Sequence, residues 1–135
     1  MIQRAVCTLL ASLLTCSAHA NINAWSQKTS GGVISVGGQI LSGRALLAPD
    51  IPSSAKVSSI SWRIVLLTPP PPELKIKLCN ATKCLNIPTL SGQMNVKIPF
   101  SAADHFRFIY VVNHPGQLSP TLNVISNELT VNYRR

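Results

Sequence analysis

The sequence predicts an all-β protein, a single antiparallel β-sandwich of the immunoglobulin-like type with about seven or eight strands. Two observations lead to this class. Apolar and polar residues alternate with a period of two, in short runs that Gly, Pro, Asn and Ser interrupt. No stretch after residue 20 has the apolar spacing of a convincing amphipathic helix. Strands with one apolar face each pack as two sheets face to face, and a small closed barrel is the alternative.

The strands differ in how clearly they alternate. In one of the clear runs, Leu74, Ile76 and Leu78 share one face while Lys75 and Lys77 share the other. The clear strands are predicted at 59–67, 73–79, 105–112 and 127–133. Weaker strands are predicted around 32–41, 83–87, 94–100 and 121–126.

The connections between strands carry signals of their own. Gly37 and Gly38 predict a bulge or bend, because glycine weakens a strand interior. The proline run in 68–73 predicts an extended crossover, since proline donates no ladder hydrogen bond. The segment 41–59 is predicted to be a long loop, which in so small a domain is functional or mobile. Residues 21–31 are predicted to be irregular as well, apart from Trp25.

Residues 1–20 have the pattern of a cleaved secretory signal peptide. Arg4 precedes about a dozen mostly apolar residues, which end in the small-x-small motif Ala18-His19-Ala20. The apolar run is too short to span the ~30 Å hydrocarbon core of a membrane. We therefore expect a single exported domain at 21–135, located in the periplasm.

The charge of the predicted exported domain is strongly positive. Without Arg4, 11 lysine and arginine residues face 4 acidic residues, a formal charge of +7. This balance favours an anionic partner, although nucleic acid is not expected outside the cytoplasm. The domain has two histidines, His105 and His114, and no motif of a known catalytic site. We expect neither enzymatic activity nor a cofactor.

Cys79 and Cys84 are the only cysteines of the exported domain, and their spacing allows several interpretations. A zinc site would need a second pair of closely spaced ligands, and a thioredoxin-like redox motif has two intervening residues where this sequence has four. In an oxidising compartment the two cysteines are expected to form a disulfide across an antiparallel hairpin. The alternation of 74–78 places this disulfide on the outer face, beside the lysines.

Basic residues near this hairpin are candidates for binding a partner. Lys75, Lys77 and Lys83 surround the cysteines, although lysines on a strand also serve to discourage edge-to-edge aggregation. Trp25 is a further candidate contact residue, and the alternative is that it pins the N-terminal arm onto the sandwich.

In several of these segments, the sequence resembles the FlhE family of periplasmic flagellar proteins. The resemblance covers most of the exported domain through the order and spacing of its segments. They are NAWSQ at 23–27, SWR at 61–63, LKIKLCNATKCLNI at 74–87, FRFIYVV at 106–112 and the last 19 residues, 117–135.

The resemblance implies a chaperone-like β-sandwich and no catalytic residues. It implies a non-enzymatic role in flagellar assembly or swarming, either limiting proton leakage through the flagellar export apparatus or chaperoning rod components. The implied partner is an export-gate or rod protein, and Arg63, Arg107 and Arg134 are candidates for a shared cationic contact surface. The alternative function is a general binding module for cell-wall glycan or an anionic polymer, which would use the basic hairpin and Trp25.

Overall fold

The computed structural model describes residues 23–135, and every regular element in this range is a β-strand. The predicted signal peptide lies outside the described residues. No helix in the range is long and apolar enough to cross a membrane. The strands are β1 Ala24–Val36, β2 Ile40–Ser42, β3 Lys56–Leu66, β4 Leu74–Cys79, β5 Cys84–Ile87, β6 Ser91–Asn95, β7 Arg107–Val112 and β8 Gln117–Arg134.

These strands form two antiparallel four-stranded sheets, which confirms the predicted sandwich class. Sheet 1 has the order β1-β8-β3-β6, and sheet 2 has the order β2-β7-β4-β5. The alternating apolar positions of the strands face one another and form a single buried cluster. Its large aromatic members are Trp25, Trp62, Phe100, Phe106, Phe108 and Tyr110.

β8 is one strand of 18 residues where the sequence predicts two separate strands. It pairs with β1 along one side and with β3 along the other. The inward positions change from even to odd numbers partway along, from Leu122 and Val124 to Leu129 and Val131. The β3 register is irregular between Val65 and Leu66, beside this change. An irregularity of this kind reverses the alternation and looks like a strand end in the sequence.

The first eight residues of β1 are the largest miss among the predicted elements. The segment at 24–31 is an edge strand that pairs with β8, but the sequence predicts irregular structure there. Trp25 is the only large apolar residue on its face of this segment, because the strand continues with the exposed Gln27 and the half-buried Thr29. An edge strand with one exposed side does not need a full apolar face, so its alternation is weak.

Two of the connections that carry the chain between the sheets were predicted from the sequence. Gly37 and Gly38 form the turn from β1 in sheet 1 to β2 in sheet 2, which confirms the predicted bend. The turn is held by hydrogen bonds from the Gly37 N–H to the Gly116 carbonyl oxygen (2.7 Å) and from the Gly38 N–H to that of Val112 (2.9 Å). The proline run lies between β3 in sheet 1 and β4 in sheet 2, which confirms the predicted crossover.

The predicted loop at 41–59 is shorter and better packed than expected. Its start belongs to β2 and its end to β3, which begins at Lys56. Between them, Leu46 forms an isolated bridge with Phe106 and is completely buried. The segment therefore follows the edge of sheet 2 for part of its length and contributes a residue to the core.

A chain of polar side chains crosses the core and joins the two sheets. The Tyr110 hydroxyl on β7 donates to Asn127 Oδ1 on β8 at 2.8 Å, and Asn127 Nδ2 donates to Thr29 Oγ1 on β1 at 2.7 Å. Asn127 is fully buried, and burial also raises the pKa of Tyr110, so the phenol stays protonated near neutral pH. This network was not predictable from the sequence, because a lone asparagine within a strand has no distinctive pattern.

Replacing Tyr110 with phenylalanine should lower the free energy of unfolding by about 1–3 kcal/mol, because it leaves the buried Asn127 carbonyl without a donor. Equilibrium urea denaturation measures the change. As a control, adding Asn127→Leu to Tyr110→Phe should recover part of the loss, since it removes the unsatisfied amide. If the loss in the double variant equals the sum of the losses in Tyr110→Phe and Asn127→Leu alone, the two residues are not coupled.

Candidate functional site

The β4–β5 hairpin is closed by the predicted disulfide between Cys79 and Cys84. The two residues are direct partners in the antiparallel register, and their Cα atoms are 4.0 Å apart. This separation suits a non-hydrogen-bonded cross-strand pair. Leu78 is buried beside them while Cys84 is exposed, so the disulfide lies on the outer face as expected.

Replacing both cysteines with serine should lower the free energy of unfolding by about 2 kcal/mol, because the unfolded chain gains conformational entropy when the covalent loop is opened. Equilibrium urea denaturation of the oxidised protein and of the variant gives the difference. Treating the wild-type protein with a thiol reductant should reduce its stability to the level of the variant. A reductant that leaves the stability unchanged would contradict the role of the disulfide.

The hairpin tip is ordered by the side chain of Asn80. Its Oδ1 atom accepts hydrogen bonds from the backbone N–H groups of Thr82 (2.9 Å) and Lys83 (2.7 Å). Its Nδ2 atom donates to Asp104 Oδ2 at 2.9 Å. The asparagine therefore shapes the turn and ties it to the segment that precedes β7.

The outer face of sheet 2 combines lysines with aliphatic residues. On β4, Lys75 lies opposite Val111 of β7, and Lys77 lies opposite Ile109. On the other side of β7, Val111 pairs with Ile40 of β2, which is 70% exposed. We call this surface the basic face and define it by Lys75, Lys77, Arg107, Ile40, Ile109 and Val111.

Arg107, a member of the basic face, and the nearby Lys83 bring positive charge to the hairpin tip. Arg107 pairs with Cys79, and its Nη1 atom donates to the Gly43 carbonyl oxygen at 3.0 Å. Lys83 lies at the tip, where its Nζ atom donates to the Pro99 carbonyl oxygen at 3.2 Å. Both side chains are thus oriented by backbone oxygens, and neither forms an ion pair with a carboxylate of residues 23–135.

No carboxylate occupies a position on the four strands of sheet 2. Asp104 accepts the hydrogen bond from Asn80, and Glu128 lies on β8 in sheet 1. Glu73 precedes β4, where its Oε2 atom lies 3.1 Å from His114 Nδ1. A backbone hydrogen bond and then the His114 side chain hold the pKa of Glu73 below its usual value. The basic face therefore offers positive charge beside exposed aliphatic surface.

The Glu73–His114 pair borders a small cavity beside the proline crossover. The cavity has a volume of about 200 Å³, and its walls include Pro69, Pro71 and Leu118. The cavity was not predictable from the sequence, because its walls come from the crossover, from the end of β7 and from the start of β8. The pair joins the crossover to the β7–β8 turn at the protein surface.

The other predicted contact residues do not join the basic face. Trp25 is 6% exposed, and its Nε1 atom donates to the Ala102 carbonyl oxygen at 2.9 Å, so it packs in the core and its ring does not form a contact surface. Arg63 and Arg134 are on β3 and β8 in sheet 1. Arg63, Arg107 and Arg134 therefore do not form the single cationic surface that was expected.

Comparison with known proteins identifies the family. The family model of the flagellar protein FlhE matches residues 31–134. The chain is 35% identical to flagellar protein FlhE of Escherichia coli (strain K12) over 113 residues, which cover 82% of this chain and 84% of the relative. It is 34% identical to that of Yersinia enterocolitica over 112 residues, covering 82% and 80% of the two chains.

A solved structure agrees with these relatives. The crystal structure of FlhE superposes with a TM-score of 0.77 at 30% identity, and the match covers 86% of this chain and all of that one. The agreement extends over both sheets of the sandwich. The chain described here belongs to the FlhE family of flagellar proteins.

Proposed function

We propose that this protein is a non-enzymatic accessory protein of flagellar assembly that works in the periplasm. It limits proton leakage through the flagellar export apparatus or chaperones rod components as they emerge. The observation that carries this proposal is the family match over residues 31–134. The signal-peptide pattern of residues 1–20 supports the periplasmic location.

The basic face is the proposed contact surface for the flagellar partner. Lys75, Lys77 and Arg107 supply long-range attraction, which raises the rate of encounter with an acidic surface. The exposed side chain of Ile40 and the half-buried Ile109 supply apolar area that can be buried once the surfaces meet. This composition fits a protein with acidic residues around an apolar patch, in an export-gate or rod component.

The remaining polar features have structural roles in this proposal. The disulfide and Asn80 hold the tip of the hairpin that bears Lys83, so this edge of the surface is formed before the partner arrives. A preformed surface loses less conformational freedom on binding than a flexible one. The Glu73–His114 pair holds the β3–β4 crossover against the β7–β8 turn at the protein surface and has no catalytic role in this proposal.

Affinity capture from purified basal bodies tests the proposed contact surface. The exported protein should retain an export-gate or rod protein, identified by mass spectrometry, and should release it as the salt concentration rises. The triple variant Lys75→Gln, Lys77→Gln, Arg107→Gln should lose this retention. A matched control with the same change in charge, Lys56→Gln, Lys97→Gln, Arg135→Gln, should keep it.

Two outcomes would contradict the proposal. Equal loss in both triple variants would mean that only net charge matters, and the basic face would then have no specific role. If the wild-type protein retained no flagellar protein at low salt, a stable flagellar partner would be excluded under these conditions.

A further inference from the structure

The outer face of sheet 1 carries a row of alternating charges in register. Lys28 on β1 lies opposite Glu128 on β8, and Glu128 lies opposite Arg63 on β3. Because neighbouring strands are about 4.8 Å apart, the charges follow a positive–negative–positive pattern that spans about 10 Å. We call these three residues the charged row.

The three members of the charged row are direct cross-strand neighbours. Within the part of the chain that the structure describes, no ion pair joins Glu128 to Lys28 or Arg63. Lys28 and Arg63 are exposed, and Glu128 is half-buried between them. Their hydrogen-bonding groups are therefore available to a ligand that lies across the strands.

Two shallow grooves meet at this row. One has a volume of about 200 Å³, and its walls include all three charged residues together with Ser126. The other has a volume of about 90 Å³ and shares Arg63 and Glu128 with the first. Arg63 and Glu128 therefore line both grooves, and Lys28 lines the larger one.

The neighbouring rows on the same face carry mostly serine and threonine side chains. Serine and threonine hydroxyls can donate as well as accept, so they suit the backbone groups and carboxylates of a small peptide. The Ser26 and Thr130 hydroxyls already bond each other at 3.0 Å, which shows that neighbouring strands bring such groups within reach. The row on one side of the charged row is Ser26, Thr130, Ser61 and Gln93, and the row on the other side is Ser30, Ser126 and Val65.

We propose that the charged row binds a peptide in which an ammonium group stands between two carboxylates, as in the diaminopimelate-containing stem peptides of bacterial cell walls. The ammonium would lie on Glu128, and the two carboxylates would lie on Lys28 and Arg63. Arg63 can hold its carboxylate with two parallel hydrogen bonds, which fixes the orientation of the ligand. The site is on the sheet opposite the basic face, so this inference is independent of the flagellar role.

The central carboxylate makes the row selective. A ligand with negative charge alone would be attracted by Lys28 and Arg63 but repelled by Glu128. A ligand with the complementary alternation meets an opposite charge at all three positions. Specificity of this kind arises from the repulsive element as much as from the attractive ones.

Isothermal titration calorimetry of the exported protein with the tripeptide L-Ala–D-Glu–meso-diaminopimelate tests the proposal. The matched probe is the tripeptide with lysine in place of diaminopimelate, which keeps the ammonium and lacks one carboxylate. We expect the lysine peptide to bind about three- to fivefold more weakly, the effect of one exposed charge pair. Lys28→Gln and Arg63→Gln should each weaken diaminopimelate binding by a similar factor, while Lys56→Gln and Lys97→Gln should not.

Glu128→Gln gives a result with opposite signs for two ligands. It should weaken binding of the diaminopimelate peptide. It should strengthen binding of the same peptide acetylated on the diaminopimelate ammonium, because the repulsion between Glu128 and the peptide carboxylates has been removed. Thermal melting of each variant shows whether it is folded. Three outcomes would overturn the proposal: no binding by the wild-type protein, equal effects in the control variants, or variants that change only the melting temperature.

Discussion

Replacing Gly37 with alanine should lower the free energy of unfolding by about 4 kcal/mol or more, as expected for a severe backbone clash. A Cβ atom at this position would overlap the carbonyl oxygen of His114. That oxygen belongs to the backbone, so it cannot move away as a flexible side chain could. The same turn holds the hydrogen bond between the Gly37 N–H and the Gly116 carbonyl oxygen, and any shift that relieves the clash weakens it. Equilibrium urea denaturation, followed by circular dichroism, measures the loss.

The neighbouring glycine is the matched control. Gly38 has a positive φ of 82°, but a Cβ atom there would meet nothing within 4 Å. Gly38→Ala should therefore cost only about 1–2 kcal/mol, the usual penalty of a left-handed residue. Equal losses at the two positions would show that backbone conformation and not close approach determines the turn.

Replacing Trp25 with alanine should lower the free energy of unfolding by about 3–5 kcal/mol, because it removes a large buried side chain and leaves a cavity. The indole packs near Phe106, with ring centroids 6.3 Å apart, and bonds the Ala102 carbonyl oxygen. These contacts attach the start of β1 to the segment between β6 and β7. Loss of the indole should therefore release β1 first, which hydrogen exchange at the amides of β1 would detect.

A milder variant separates packing from partner binding. Trp25→Phe keeps most of the buried apolar area but leaves the Ala102 carbonyl without its donor, which costs about 1–3 kcal/mol. At a temperature where this variant is folded, it should retain the basal-body partner as well as the wild-type protein does. Normal stability with a lost partner would instead make Trp25 a contact residue.

The interior strands of the fold were predictable because they have a clear alternation. β4 and β7 have buried residues at every second position, and both were expected at nearly their observed bounds. The start of β1 was missed because this edge strand has Gln27 and Thr29 on the same face as Trp25, which leaves little apolar contrast. The continuity of β8 was missed because its inward positions change parity, which no local pattern distinguishes from a strand end.

The site was predictable only where neighbours in sequence are also neighbours in space. The disulfide and the outward lysines follow from one hairpin, so the predicted export and the alternation were sufficient to predict them. The pairing of distant strands was not predictable, and it decides which arginines share a face. Arg107 joined Lys75 and Lys77, while Arg63 lies with Lys28 and Glu128 on the opposite sheet.

Deleting the gene and following swarming together with cytoplasmic pH in an acidic medium tests the flagellar role most directly. We predict reduced swarming and a lower cytoplasmic pH in the deletion strain. The wild-type gene should restore both, and the triple variant Lys75→Gln, Lys77→Gln, Arg107→Gln should restore neither although it is exported and folded. Unchanged swarming and unchanged cytoplasmic pH in the deletion strain would contradict the account.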